Sequence, residues 1–412
     1  MRRLTTVIFC GGLIFLHLCL PLRANSKATT FRLTNGLRVI LAPVEKVKAV
    51  CVLLYHLNGV RHDPPEIKGG SYLYQNLMRL GATKNLDPLD RIIFLNRSGG
   101  ISAHTVNYDY SIFYQVVPDS EINNALWLES ERISSLKLTN RNITFEKNKV
   151  YSRNYRSINF YVNVKAVNWV RANIFEGLPY EIPIYGNLEE IKKFDLQSIK
   201  GLYKNFGNLS RIIMVIAGGF NPGELKESIM KHFGGLSSPI PPGTFKKNYI
   251  ATAPRTEYVY DNWILPKLSE PFVMYGVRAP SKFSNDHLYF EFIRYYLLDE
   301  RISKLDEQLN RGNKLDITLN HQFTDHFEAN ALIFWVSAKR RANLERAKYY
   351  LNKQLAALQK GRPGTLSHSE VKLTKTVMEL DFMKKMSRLQ ERSIFLAENY
   401  HSQQVCPFNG HG

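Results

Sequence analysis

Gly69-Gly-Ser-Tyr-Leu-Tyr-Gln-Asn-Leu-Met-Arg-Leu-Gly-Ala-Thr83 is the stretch from which the rest of the chain can be read. It reads as a helix over 69–81 with Tyr72, Gln75 and Asn76 on one face, because residues three and four apart are neighbours on a helix surface. This spacing is the frame of the inverted zinc motif His-x-x-Glu-His, here set between glycines. In that motif two His hold Zn²⁺ and the Glu between them activates the metal-bound water. Tyr72, Gln75 and Asn76 stand at the three positions instead. From Ile67 to Leu86 there is no His, Cys, Asp or Glu, so a slip of register restores nothing. A neutral amide is not a general base, and neither Gln nor Asn matches imidazole as a zinc ligand.

Upstream of this helix, 29–41 reads as a hairpin turning at Asn35-Gly36, followed by a buried strand over 49–56. Downstream, Asp87-Pro88 caps and opens another helix. Strands at 101–107 and 110–117 join through Asn107-Tyr108-Asp109, and helices follow over 120–135 and 144–175, with another from Asp195. Residues 211–217 form a strand apolar on both faces, and a helix over 222–233 closes the set. Ser237-Ser-Pro-Ile-Pro-Pro-Gly-Thr244 is a linker by composition. Beyond it the order recurs: strands near 256–260 and 271–278, helices at 284–298 and 300–311, strands at 315–323 and 327–338, and helices at 343–360 and 367–400. The expected fold is therefore α+β, two duplicated domains each with a mixed, largely antiparallel sheet and helices on one face. The domains run over 29–236 and 251–412, with a linker at 237–250. The second copy reads as truncated, since nothing after Tyr400 matches the last strand and helix of the first.

The amino terminus is a separate matter. Arg2 and Arg3 precede an apolar run from Val7 to Leu22, with small residues at Ala24 and Ser26. This is the pattern of a secretory signal peptide over 1–24, with an uncleaved membrane anchor as the alternative reading, and it places the mature protein in the periplasm or outside the cell. No later stretch is apolar enough to span a membrane. Cys10 and Cys19 leave with the leader, Cys51 lies in an apolar strand as a buried thiol, and Cys406 is near the carboxyl end. The 412 residues are 44% hydrophobic and 22% charged, the balance of a globular protein. Formal charge is +19, or +16 without Arg2, Arg3 and Arg23. The basic residues are dispersed, with no run longer than Lys339-Arg340-Arg341 and no nucleic-acid motif, so nucleic acid is not an expected partner.

With these segments in place, the chain resembles the pitrilysin/insulinase family of zinc peptidases, in its processing-peptidase-like, two-domain bacterial secreted form. Asn35-Gly-Leu-Arg-Val-Ile-Leu41 resembles the family's opening hairpin, and Gly99-Gly-Ile-Ser-Ala-His-Thr-Val-Asn-Tyr-Asp109 the strand beside its catalytic helix. Ala125-Leu-Trp-Leu-Glu-Ser-Glu-Arg132 and Gly186-Asn-Leu-Glu-Glu-Ile191 resemble two further family segments. The resemblance implies zinc as cofactor, with ligands at the positions of Tyr72 and Asn76 and the base at Gln75. It puts the third ligand seven residues beyond Glu146, at Arg153, and no carboxylate lies between Lys147 and Phe175. An Arg and a Tyr that act on substrate in two-chain relatives fall on Asn310 and Ile317. No catalytic, metal or substrate-binding residue is therefore expected at any of these positions, and no zinc. The expected role is a non-catalytic, peptide-chamber subunit partnered by a homologous zinc-bearing chain or by a second copy, with peptide or unfolded polypeptide as ligand. Family membership alone would instead imply an active zinc metalloendopeptidase, and the shortened end a decaying gene product. His321, Asp325, His326 and Glu328 cluster around a strand turn, where such residues serve mainly solvation.

Overall fold

The computed structural model describes residues 28–80, 82–239, 270–303, 317–360 and 366–405, with 259, 261 and 263. Outside the described residues lie the leader, most of the linker and the strand near 256–260, and the helix at 300–311 from residue 304 on. Asn310 and Cys406 lie there too.

Continuous apolar runs at the centre and more polar strands at the edges build a six-stranded sheet from β1 (Thr29–Arg32), β2 (Arg38–Pro43), β3 (Ala49–His56), β4 (Ile101–Val106), β5 (Ser111–Pro118) and β6 (Ile212–Gly218), in the order β1-β2-β6-β3-β5-β4. Only β2 and β6 run parallel, and β3 lies between β5 and β6 with Leu54 opposite both Phe113 and Met214. Successive strand residues point to opposite faces. Val50, Val52, Leu54, Val117, Met214 and Ile216 therefore share one face, where they pack with Ala125, Leu126 and Ile133 of α3 (Ile122–Ser134) and with Leu225, Ile229 and Phe233 of α6 (Pro222–Phe233). The same face carries α1 (Gly70–Leu80), whose Leu73, Tyr74, Leu77 and Met78 meet Phe113, Ile143, Val150 and Phe206. α2 (Pro88–Ser98) opens at the expected Asp87-Pro88 cap and ends at Gly99, which takes the left-handed conformation.

The segment expected as one helix over 144–175 is two: α4 (Asn140–Phe160) and α5 (Val162–Ile174), broken at Tyr161, whose backbone is extended at φ −113°. The segment at 367–400 likewise divides into α9 (His368–Met386) and α10 (Leu389–Val405). Neither break carries Pro or Gly, so local propensity gives no warning of it. Packing accounts for both. α10 lies on β6 and β3, on the face opposite α3, where Ser393 sits beside the Cys51 thiol and donates its own hydroxyl to Leu389 O at 2.8 Å. α5 lies on β7 (Phe272–Ala279) and β9 (Asn330–Ala338). Gly276 admits it there, since a Cβ would stand 2.3 Å from Val170 Cγ1 and 2.6 Å from Ile174 Cδ1.

β7 and β9 pair antiparallel with each other and, through β9, with β8 (Ile317–Phe323), in the order β7-β9-β8. This repeats β3-β5-β4 of the first sheet in order and sense, which makes the duplication a matter of topology as well as of element order. α7 (Asp286–Leu298) and α8 (Arg341–Lys360) bury Leu297, Leu344, Ala347 and Leu351 against Leu332, Phe334 and Val336 of β9. The compact units thus exchange one helix each relative to the contiguous segments 29–236 and 251–412. Among the described residues, one comprises 28–161, 175–239 and 385–405, the other 162–174, 270–303, 317–360 and 366–384. Helices were expected on one face of each sheet; α10 and α5 cover the second face as well.

Candidate functional site

Both ends of α1 are held by buried polar groups. At its start the Asp63 carboxylate accepts from the Gly69 amide at 2.9 Å, from the Ser71 amide at 3.1 Å, and from the Ser71 hydroxyl. It thereby satisfies amides that a helix amino terminus leaves without partners. Burial pushes Asp63 up to about 7, with the Ser71 and Gly69 bonds opposing it. Gly69 is fixed at φ +90°, where a Cβ would lie 2.4 Å from Tyr185 O; Gly186, at φ +71°, faces Lys68 O in the same way at 2.2 Å. Two glycines distant in sequence therefore let two backbones touch, and that contact sets where the helix begins.

At its end, Arg132 of α3 donates from Nη1 to Met78 O at 2.8 Å, placing a cation at the carboxyl terminus of α1. The same guanidinium grips Glu129 through Nε at 2.7 Å and Nη2 at 3.0 Å, while Gln115 Nε2 donates to Glu129 Oε1. Burial alone would push the Glu129 carboxyl up. Arg132, Arg91 and Gln115 outweigh it and hold Glu129 below the ordinary carboxylate range. These contacts give the segment 125–132 its structural meaning: it anchors α1.

Between those anchors stand the motif positions. Tyr72 is partly buried and Gln75 fully so, and both Gln75 amide atoms lack a hydrogen-bond partner. Asn76 turns back on its own helix, donating from Nδ2 to Tyr72 O at 2.7 Å. Arg153, 81 residues along, comes to Tyr72: its Nη2 donates to the Tyr72 hydroxyl and its Cζ stands 5.9 Å from the ring centroid. Glu146 and Lys149 share that face of α4, paired at 3.3 Å. Opposite, His104 on β4 stacks on Phe113 at 6.1 Å between centroids. Burial, with Arg79, Arg132, Arg153 and Lys149 around it, lowers His104 to about 4. His56 at the end of β3 is fully buried beside Phe113 and Phe206, and burial lowers it to about 3.

The residues present do not fit a catalytic zinc ion. The site offers a phenol, two amides and a guanidinium where two imidazoles and two carboxylates would be required, and Arg153 would repel the cation. Among the described residues, no group of three or more His, Cys, Asp or Glu is placed to hold a metal. The residues near 321–328 disperse into other contacts, with Asp325 paired to Lys282 at 2.7 Å and His321 3.3 Å from Arg294 Nη1. Ile317 starts β8 and is buried against the β9 core, so it supplies packing. The sequence reading gave no role to Arg79, His104 or Lys149. The i, i+4 spacing of Lys149 and Arg153 was the available signal, but pairing α4 with β4 and α1 required the fold.

Residues 193–377 match the family model of the Peptidase M16 inactive domain. Over 364 residues, 87% of this chain and 80% of the relative, the sequence is 21% identical to zinc protease PqqE of Helicobacter pylori. It is 22% identical over 227 residues, 54% of this chain and 44% of the relative, to cytochrome b-c1 complex subunit 1 of Bos taurus. Its fold matches the crystal structure of a protease from Helicobacter pylori with a TM-score of 0.76 at 18% identity, covering 92% of this chain and 90% of that one. Residues 193–377 thus resemble an M16 inactive domain, and the similarity to zinc protease PqqE and the shared fold of the Helicobacter pylori protease carry the likeness to M16 peptidases over most of the chain.

Proposed function

We propose that this chain is a non-catalytic M16 subunit, exported from the cytoplasm, that shapes a peptide-holding surface beside a homologous zinc-bearing chain. The observation that carries the reading is the Arg153–Tyr72 contact: a guanidinium donates to a phenol where the family resemblance puts two zinc ligands. At the general-base position, Gln75 has no acid-base chemistry to offer. The scaffold around these positions is intact, with α1 anchored at both ends by Asp63 and Arg132. An intact scaffold without its metal chemistry suits a structural partner. The matched family model is itself of an inactive domain, and one relative is named as a subunit of a larger complex. No described helix is long and apolar enough to cross a membrane.

The test is metal analysis and peptide digestion with the purified full chain, followed by co-expression with a zinc-bearing homologue. The expected result is no stoichiometric zinc, no cleavage of an unfolded peptide, and co-elution with the homologue. About one zinc per chain together with chelator-sensitive cleavage would overturn the proposal.

A further inference from the structure

The face of α1 that has no metal chemistry has acquired another property, an excess of positive charge. Arg79, Lys149 and Arg153 lie around His104, together with Arg132. Two of these four cations are compensated: Arg132 by Glu129 at 2.7 Å, and Lys149 by Glu146 at 3.3 Å. Arg153 and Arg79 pair with no carboxylate among the described residues, and Arg79 Nε has no hydrogen-bond partner. Arg153 is exposed, so an incoming group can reach it. Because the Tyr72 oxygen accepts from Arg153, its own hydroxyl hydrogen is left to donate. Gln75, one turn along on the same face, is fully buried with neither amide atom partnered. A buried amide in that state calls for a polar guest.

We propose that Arg153 and Tyr72, flanked by Arg79 and Lys149, form a binding site for a peptide carboxylate. The planar guanidinium presents paired donors that match the two carboxylate oxygens, and the phenol hydroxyl adds a third donor at its side. His104, held neutral, adds no charge of its own and leaves the field to the arginines. The carboxylate is that of a chain terminus or of an Asp or Glu side chain, since both present the same two oxygens. This inference rests on the peptide-holding reading and names the chemistry that the surface selects.

Three fluorescent decapeptides of Ser, Ala and Val distinguish the sources when titrated onto the full chain. One has a free carboxyl terminus, the second is its amide, and the third is the amide with one internal Asp. Either acidic peptide should bind at least tenfold more tightly than the neutral amide, with acetate competing and affinity falling as salt rises. Arg153→Gln should abolish the preference and Arg153→Lys should retain part of it, with thermal melts showing that both variants fold. Tight binding by the free acid alone assigns a terminus, and tight binding by the Asp peptide assigns a side chain. Equal binding of all three peptides would overturn the carboxylate site while leaving a peptide-holding role in place. Failure of all three to bind would overturn both, and an acid preference that survives Arg153→Gln would overturn the assignment to this residue.

Discussion

Arg153 makes the loss of zinc chemistry deeper than three substitutions on α1. Restoring the motif with Tyr72→His, Gln75→Glu and Asn76→His supplies two imidazoles and a base but leaves a guanidinium beside the would-be metal. Calorimetric titration with zinc should show no tight binding by that triple variant and tight binding once Arg153→Glu is added. His56 permits a second prediction. Its folded value is lowered to about 3, so between pH 6.5 and about 3 the unfolded chain takes up a proton that the folded chain refuses, and stability falls as pH falls. His104 and His62 act in the same sense, whereas Asp63, raised to about 7, opposes them below neutrality. His56 has no hydrogen bond through either nitrogen and packs among phenylalanines, so Phe fits its place. Denaturant melts of His56→Phe should therefore show a shallower acid decline than wild type, by up to about 1.4 kcal/mol per pH unit.

Among the elements, α10 does work that its position near the end of the chain does not advertise. It covers the face of β3 and β6 that includes Cys51, Leu53, Tyr55, Ile213 and Val215, all fully buried. Burying a large apolar side chain contributes about 1.5–3 kcal/mol, so uncovering four of them would take much of a typical 5–15 kcal/mol stability. Cys51 reports on this directly. Burial pushes its thiol up to about 12, which makes it unreactive in the whole chain. Ending the chain after residue 386 should expose Cys51 to alkylation, read by mass mapping of the labelled peptide. An equally slow reaction in the shortened chain would show that something other than α10 protects it.

For the whole molecule, the exchange of α5 and α10 between the two units means that no single cut separates them. Segment 29–236 carries α5 but lacks the helix that covers β3 and β6, and segment 251–412 carries α10 but lacks the helix that fits over Gly276. Each expressed alone should aggregate or melt without cooperativity. Expressed together, with a tag on one, they should co-purify. A cooperatively melting monomer from either segment alone would show that the exchanged helix is dispensable.

The sequence by itself determined the local elements and the chemistry of the motif. Asn35-Gly36, Asp87-Pro88, the continuous apolar run at 49–56 and the segment at 110–117 set turns, caps and strands through local sterics and hydrophobic patterning, and these came out within a residue or two. The absence of any carboxylate or imidazole from 67 to 86 was likewise legible without coordinates. Only the tertiary structure decided where the long helical runs break, which sheet each half covers, and that Arg153 meets Tyr72. Those outcomes depend on pairings between residues far apart in sequence: Cys51 with Ser393, Gly276 with Val170, Gly69 with Gly186. No local propensity encodes such pairings, because the free energy that selects them arises when separate surfaces close on one another and exclude water.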